Sequence, residues 1–572
     1  MKLISANLKK LLAAATVIIV ATAASAAIST VVVDGAYCWF GDPRAIHHEG
    51  TFDRTFVGSI TAAGSIQVTQ YDHTTRRSVT TTLHDNLQVD DHDNPSILVR
   101  ADKRLIVFYS KHTSEPVIYY RISTYPEDAT SWQPEQMIAT VNNVTYPNPV
   151  MLSGENNRIY LFTRDVDWKP TVQWSDDQGT SWSRPIQMLT SSGARPYMKV
   201  ESNGANEIYF TFTDGHPRDV ANNSVYYMMY RAGAFYKANG TQITTISQLP
   251  TSVTSADRVY NGSSSTGRGW VWDIAAVNGQ PTITYARFPS TTNHQYRYAY
   301  WDGSAWQDKL VVAGGQWFPQ TPSGKTEPEQ QYSGGVVLDH GNPNVVYSSR
   351  PINGQWEIER RITTDHGATW TTTAITSNST QRQVRPYVVK NYKPGDLDLI
   401  WMSGPYVGYT NYATGISTNS DLAQAPVLRF DMGTPTSPVA SGFARVSENT
   451  QYGAGGYGWV GINAAANLSR DRGTSDPLTR DFIFNSATRT FKVALRNGTY
   501  TVKVTSGDAQ YAHDKMRIVS NGVIVADNVD SPRGGVTIST FTVTVTGESL
   551  ELQFSDLGGA DRNWVVNAIE IQ

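Results

Sequence analysis

Ser175–Trp182 reads "SDDQGTSW", and Thr363–Trp370 reads "TTDHGATW". Both have the form Ser/Thr-x-Asp-x-Gly-x-Ser/Thr-Trp. In such a turn the Asp accepts hydrogen bonds from backbone amides, and the Gly takes a left-handed conformation. The Trp is then left to pack between neighbouring units. The motif is structural and carries no catalytic weight. Around the two copies lie short alternating runs such as "RLIVFYS", "PVIYYRIST", "RIYLFTR", "EIYFTFTD" and "PTITYARF", punctuated by Gly, Asn, Asp and Pro. Helical periodicity is nearly absent, so the chain reads as all-β.

The two turns resemble the Asp-box, or BNR repeat. Weaker echoes end at Trp132, Tyr236 and Trp306, giving aromatic steps of 50, 54, 70 and 64 residues. Steps of that size divide the first part of the chain into roughly seven units, and counting alone leaves six or eight open. The expected fold is a seven-bladed β-propeller over residues 27–424. Composition changes near "ISTNSDLAQAP", and residues 425–572 read as a β-sandwich of jelly-roll type. That second unit resembles the sugar-binding modules of secreted carbohydrate-active enzymes, with Tyr457, Trp459, Tyr511 and Trp564 as candidate exposed aromatics. The competing reading places Trp564 and Phe554 in a core.

Residues 1–26 combine Lys2, Lys9 and Lys10, the apolar run "LLAAATVIIVATAA" and the small-residue site Ala24-Ser25-Ala26. This is the pattern of a secretory signal peptide, so the mature protein is expected outside the cell or in the periplasm. The apolar run is short for a retained span, and no later segment is apolar enough to cross a bilayer. The single cysteine, Cys38, precludes an intrachain disulfide and a Cys-rich zinc site. His47-His48 could join Cys38 around a metal, but the spacing matches no recognised site, and no metal is expected at the active centre. A net charge of −3 without a basic stripe argues against nucleic acid. Fifteen Trp and 30 Tyr suit sugar rings as well as cores.

Three enzyme logics suit an exported propeller. Glycoside hydrolysis needs two facing carboxylates, and no paired signature stands out. A sialidase would carry an early Arg-Ile-Pro, where this chain has "GDPRAIHH". β-Elimination on a uronate needs a group to neutralise the carboxylate, a base for the C5 proton and an acid for the leaving O4. His, Tyr and Arg suit those tasks.

The segments "DGAYCWFGDPRAIHHEG", "DDHDNPSI", "FYSKH", "TYPNPVML", "IYLFTRD", "ARPYMKV", "FTDGHPR", "WVWDIA" and "YSGGVVLDHGNPNVVYSSR" occur in that order. Together they resemble the BNR-repeat propeller polysaccharide lyases, most closely the ulvan lyases, over most of residues 34–415. The resemblance implies cleavage of a sulfated rhamnose–uronate polymer at glucuronate or iduronate, leaving an unsaturated uronyl end. It implies His92, His112, Tyr146 and Arg164 as catalytic residues. Arg195 and Tyr197 compete for the last two roles or bind substrate, and Tyr209 and His216 line the cleft.

Plainer readings stand beside these. His92 could be a turn histidine bonded to Asp, Tyr146 a blade-core residue, and Arg164 a partner of Asp165 or Asp167. Arg195 and Arg385 both precede Pro-Tyr, a recurrence expected of a repeated blade position with at least one structural member. Which residue is base and which is acid stays open, because a Tyr base would need a lowered pKa. The chemistry requires no cofactor and leaves room for a structural Ca²⁺. The expected partner is an acidic sulfated polysaccharide, with no nucleic acid or membrane, and the protein is expected to be a monomer. Two alternatives remain: an enzyme acting on rhamnose–glucuronate linkages of plant gums or arabinogalactan, by elimination or hydrolysis, and a non-catalytic glycan-binding propeller.

Overall fold

The computed structural model describes residues 28–318, 324–422, 427–453, 455–461, 467–495 and 497–572. The signal-peptide reading of residues 1–26 and the boundary at 424/425 lie outside the described residues. Within them the chain is built from strands and five short 3-10 turns, with no α-helix.

Among the described residues before 420, seven antiparallel sheets of four or more strands follow one another. The first sheet holds Ala45–Glu49, Asp53–Ile60, Ile66–Asp72 and Arg77–His84. The first strands of successive sheets touch one another and form the inner ring. The seventh sheet is composite: Gln383–Val388, Leu399–Ser403 and Gly415–Thr418 are completed on the outside by Ser29–Val32. Joining the two ends of the propeller segment in one sheet closes the ring and leaves only the short outer edges of the individual sheets. On the inner side, His47 N–H donates to Lys390 O, and Lys390 N–H donates to Ala45 O.

The two Asp-containing turns behave as their chemistry dictates. Asp177 accepts from Thr180 N (3.1 Å) and Ser181 N (2.8 Å), and Gly179 has φ +91°. Burial raises the Asp177 carboxyl, but its bonds from the Ser181 hydroxyl and amide, the Ser175 hydroxyl and the Thr180 amide together outweigh burial and hold it down at about 2. Asp365 accepts from Thr369 N (2.8 Å), and Gly367 has φ +84°. Each Trp then reaches back to the preceding sheet: Trp182 packs edge-on against Phe108, and Trp370 against Tyr298. The motif recurs because it locks one sheet onto the next.

At the end of the ring opposite the site described below, His340 bridges two sheets. Its Nδ1 lies 2.8 Å from Glu201 and its Nε2 lies 3.0 Å from Asp273. Burial opposes its charge, but the two carboxylates outweigh burial and push it up to about 10. The unfolded value is about 6.5. A raised pKa gives stability that is fully present below about pH 6.5 and is lost as pH rises through 10. His340→Gln should therefore flatten the alkaline fall in urea midpoint between those limits. An unchanged fall would assign it to other groups.

Residues from 428 onward have their own hydrophobic core, separate from the propeller cores. Two five-stranded sheets and a three-stranded sheet enclose it. Trp459 and Trp564 are each 1% exposed, with centroids 5.8 Å apart, and Trp564 stacks on Phe554. These two aromatics face inward rather than outward. Tyr457 is half-buried, and Tyr511 is exposed.

Candidate active site

The segment Tyr37–Phe40 runs fully buried through the ring. Trp39 stacks on Trp272 at 4.4 Å and meets Trp270 and Tyr332 edge-on. Phe40 touches the rings of Tyr146 and Tyr197. This apolar floor fills the channel and supports the residues above it.

Asp90 accepts from His92 N and caps the 3-10 turn Asp91–Asp93. The turn is tied to the floor: Cys38 N–H donates to Asp91 O and to Asn94 Oδ1. His92 is 3% exposed. Its Nδ1 lies 2.5 Å from Asp90 Oδ1 and 3.2 Å from Asp91 Oδ1, while Nε2 lies 3.4 Å from Tyr332 Oη. His112 stacks on His92 (4.2 Å, 16°) and sets its own Nδ1 2.8 Å from the other oxygen of Asp90. One carboxylate therefore orients both imidazoles, and Asp90 answers which of the three aspartates holds His92.

Two stacked imidazoles sharing one acid do not both carry charge in the resting site. Burial opposes charge on His92, but the electrostatic effects of Cys38, Tyr146 and Asp90 around it hold it well above the usual imidazole value. His112 is depressed to about 4, first by burial and then by the charge on His92. His92 is thus the imidazolium and His112 the neutral ring. With Nδ1–H donated to Asp90, His112 keeps its Nε2 lone pair free.

Tyr146 heads the inner strand Thr145–Leu152 in the left-handed region (φ +60°), an uncommon conformation for a bulky residue. A register shift follows Thr145, which pairs with Arg164 across the sheet. Tyr146 and Arg164 are thereby side by side, with the guanidinium 4.8 Å from the Tyr146 ring and 5.0 Å from Tyr197. Burial raises the Tyr146 phenol well above its usual value, although His92 opposes this, so it keeps its proton. Arg164 is 5% exposed, yet its Nε and Nη1 have no hydrogen-bond partner. It pairs with neither nearby aspartate: Asp165 accepts from Val141 N and Asn142 N, and Asp167 lies near Lys169. A small cavity lined by Tyr146, Asn148, Arg164 and Tyr197 opens beside it. A buried cation with unused donors is costly and suits an incoming anion.

His216 packs on Trp270 (4.5 Å) and Tyr197 (5.3 Å) at the same rim. Its Nδ1 accepts from Arg218 N, and burial, followed by the Arg218 charge, pulls it to about 3. Arg195 and Arg218 are exposed, and both, with Arg164, bear electrostatically on His216. Tyr209 lies apart. It is 2% exposed in the second strand of the fourth sheet, bonds Glu207 at 2.5 Å and packs within the sheet core. Turnover should survive Tyr209→Phe essentially unchanged; a large loss would bring Tyr209 into the site.

Three aromatics complete the cluster without having been singled out from sequence: Tyr332, Tyr409 and Trp270. Tyr409 stands edge-on to both imidazoles. They come from segments far along the chain, and only closure of the ring brings them to His92.

Arg385 occupies the Pro-preceding position of another inner strand, also at positive φ (53°). Its two Nη atoms donate to Asp91, Tyr37 O and Tyr406 Oη, while its Nε has no hydrogen-bond partner. Of the two Arg-Pro-Tyr arginines, Arg385 is internal and Arg195 faces solvent. His47 and His48 do not meet Cys38: His47 bonds Asp53 and Asn391 O, His48 bonds Glu127, and Cys38 lies against Asp91 and His92.

Residues 54–313 match the model of a BNR repeat-containing family member, and residues 428–572 match a β-agarase/YXIM esterase-like, galactose-binding domain-like model. The sandwich is thus similar to galactose-binding domain-like modules, and the propeller to BNR repeat-containing proteins. Its fold is shared with an ulvan lyase of a new polysaccharide lyase family bound to -[GlcA(1-4)Rha3S]-: TM-score 0.51 at 14% identity, covering 68% of this chain and 94% of that one. A second structure of such an ulvan lyase gives TM-score 0.50 at 15% identity, covering 68% and 95%. Among curated proteins, β-agarase A of Zobellia galactanivorans is 33% identical over 210 residues. That match covers 36% of this chain, and the chain spans 38% of the relative's length.

Proposed function

We propose that this protein is an exported polysaccharide lyase that cleaves a sulfated rhamnose–uronate polymer such as ulvan by β-elimination. One observation carries the reading: a buried guanidinium with unused donors, Arg164, adjoins a protonated phenol and a neutral imidazole. Those are the three groups that elimination beside a carboxylate needs. The fold shared with an ulvan lyase supports it, as does the sequence pattern of residues 1–26 for export.

Arg164 binds the uronate carboxylate and stabilises the charge that develops on it when C5 loses its proton. His112 Nε2 takes that proton, and Asp90 steadies the resulting imidazolium. Tyr146 gives its proton to O4 as the C4–O4 bond breaks and the C4=C5 bond forms. His92, positively charged beneath Tyr146, favours the phenolate left behind. Arg195 at the rim adds positive charge and suits a polyanion. A hydrolytic reading has less support: Asp90 serves the two histidines, Asp91 pairs with Arg385, and Glu329 pairs with Arg218.

The protein is incubated with ulvan, and ultraviolet absorbance of the conjugated uronyl end is followed together with new reducing ends. Both should rise in step. Reducing ends without absorbance would indicate hydrolysis, and neither signal would indicate a binding protein.

The pH profile gives a second check. His112 is active unprotonated and sits at about 4, so kcat/KM should fall as pH drops through about 4. An acid limb near the ordinary imidazole value of about 6.5 would remove His112 as base.

A further inference from the structure

A groove of about 700 Å³ opens where the sixth and seventh sheets meet. That size falls within the range of about 300–1,000 Å³ typical of small-ligand sites. Its walls are the turn between Val345–Ile352 and Gln355–Ile362, the residues leading into Gln383–Val388, and the loop 404–407 after Leu399–Ser403. Trp317, just beyond the outer strand Trp306–Gly315 of the fifth sheet, closes one side. Two glycines let these segments approach closely. A Cβ at Gly315 would lie 2.7 Å from Pro351, and one at Gly404 would lie 2.8 Å from Ala413 O.

The groove adjoins the imidazole cluster. Tyr406, in its wall, donates to Asp91 Oδ2 (2.6 Å), and Tyr409 on the same loop stands edge-on to both imidazoles. In ring order the sixth and seventh sheets stand across from the third, which holds Arg164. A polymer seated on Arg164 and passing the imidazoles has this groove ahead of it. Arg382 is half-buried in the groove wall. Its Nη1 donates to Tyr406 O (2.6 Å), and its guanidinium lies 5.8 Å from the centre of the Phe318 ring. Among the described residues it has no carboxylate partner, and burial alone pulls its pKa below the usual value. A partly desolvated cation with spare donors suits an incoming anion. Trp317 lines the same groove and is also half-buried, so part of its ring is accessible.

We propose that the groove is a distal subsite of the cleft, in which Arg382 pairs with an anionic substituent of a polymer unit beyond the cleaved bond and Trp317 supports that unit's ring. This subsite presupposes the lyase reading, since it places a further stretch of the same polymer. A guanidinium fork matches a sulfate ester or a carboxylate with two parallel bonds, and an indole face covers the apolar side of a pyranose. Contacts so far from the reacting carbon are made equally by substrate and transition state. They set KM and the preference for long, charged chains, and leave the rate of bond breaking alone. A chain too short to reach Arg382 gains nothing from it.

Initial rates of unsaturated-end formation by the full chain are measured on ulvan, on chemically desulfated ulvan and on the shortest ulvan fragment that the unaltered chain cleaves. Arg382→Met should raise KM on ulvan about tenfold with little change in kcat, the scale of losing one charge-assisted hydrogen-bonded pair. On the shortest fragment it should change nothing. The ratio of the two KM values should shrink as added salt screens the pair. Trp317→Ala should raise KM on ulvan and on the desulfated polymer alike, and it carries the test if Arg382→Met melts early. The desulfated polymer identifies the anion: the Arg382→Met effect vanishes there if Arg382 holds sulfate, and persists if it holds a uronate carboxylate. Unchanged KM on ulvan in both variants, or an equal rise on the shortest fragment, overturns the subsite. Failure of the lyase reading is distinct: the unaltered chain then forms no unsaturated product from any of these substrates, and the subsite falls with it.

Discussion

Replacing Tyr146 by Phe should leave a folded chain whose kcat on ulvan is lower by about 10³-fold, within the 10²–10⁴ range of a positioned acid–base group. The substitution removes one oxygen. The ring still packs on Phe40 and beneath Arg164, and the backbone at φ +60° asks no more of Phe than of Tyr. KM should change little, because the phenol acts on O4 only as the bond breaks. Thermal melting checks that the fold is intact. A kcat within a few-fold of the unaltered chain would move the acid to another group, with Tyr332, beside His92, next in line.

Arg164→Met should lower kcat/KM by about 10²–10³, the scale seen when one preorganised donor to a developing oxyanion is lost. Its second signature is the absence of a stability penalty. Arg164 is a buried cation with no carboxylate partner, so an apolar side chain of similar length relieves a desolvation cost. Melting temperature should hold or rise while activity collapses. Arg385→Met makes the contrast. Arg385 is 1% exposed and neutralises Asp91, whose side chain is fully buried. Losing it strands that carboxylate and should cost about 3–5 kcal/mol of stability. If Arg164→Met unfolds the protein as Arg385→Met does, Arg164 is a structural arginine and the carboxylate-binding role is lost.

Much of the propeller was legible because its signals are local. An Asp-containing turn contains its own acceptor, its own glycine and its own Trp, so eight residues announce a sheet-to-sheet lock. Short alternating runs between such turns declare antiparallel strands. The composite seventh sheet was not legible: nothing in "STVV" says that it pairs with Gly415–Thr418 nearly four hundred residues on. The site divides in the same way. His92, Tyr146 and Arg164 sit in recognisable segments, and a sheet register makes Tyr146 and Arg164 neighbours. Tyr332, Tyr409 and Trp270 reach the cluster only through ring closure. Tyr209 shows the opposite failure. It sits in an apt segment, but strand alternation turns it into the sheet rather than the cleft. Trp459 likewise lies on an inward face, while Trp564 and Phe554 follow the core reading, and composition alone does not tell an inward aromatic from an outward one.

Asp90 gives the charge assignment its physical basis. A single carboxylate between two stacked imidazoles stabilises one positive charge at rest, and burial and mutual repulsion keep His112 neutral until it takes the substrate proton. This leaves an acid-resistant base at His112 and a fixed cation at His92, beside a phenol that stays protonated until O4 leaves.

Whether the polymer is opened by elimination at this site is tested most directly by cleaving ulvan in oxygen-18 water and weighing the new chain ends. Elimination takes no oxygen from solvent, so both ends should carry the natural isotope. Together they should equal the parent chain in mass, and Tyr146→Phe should produce neither. Oxygen-18 in the new reducing end at the moment of cleavage would mean that water attacks the glycosidic carbon, and would contradict the account.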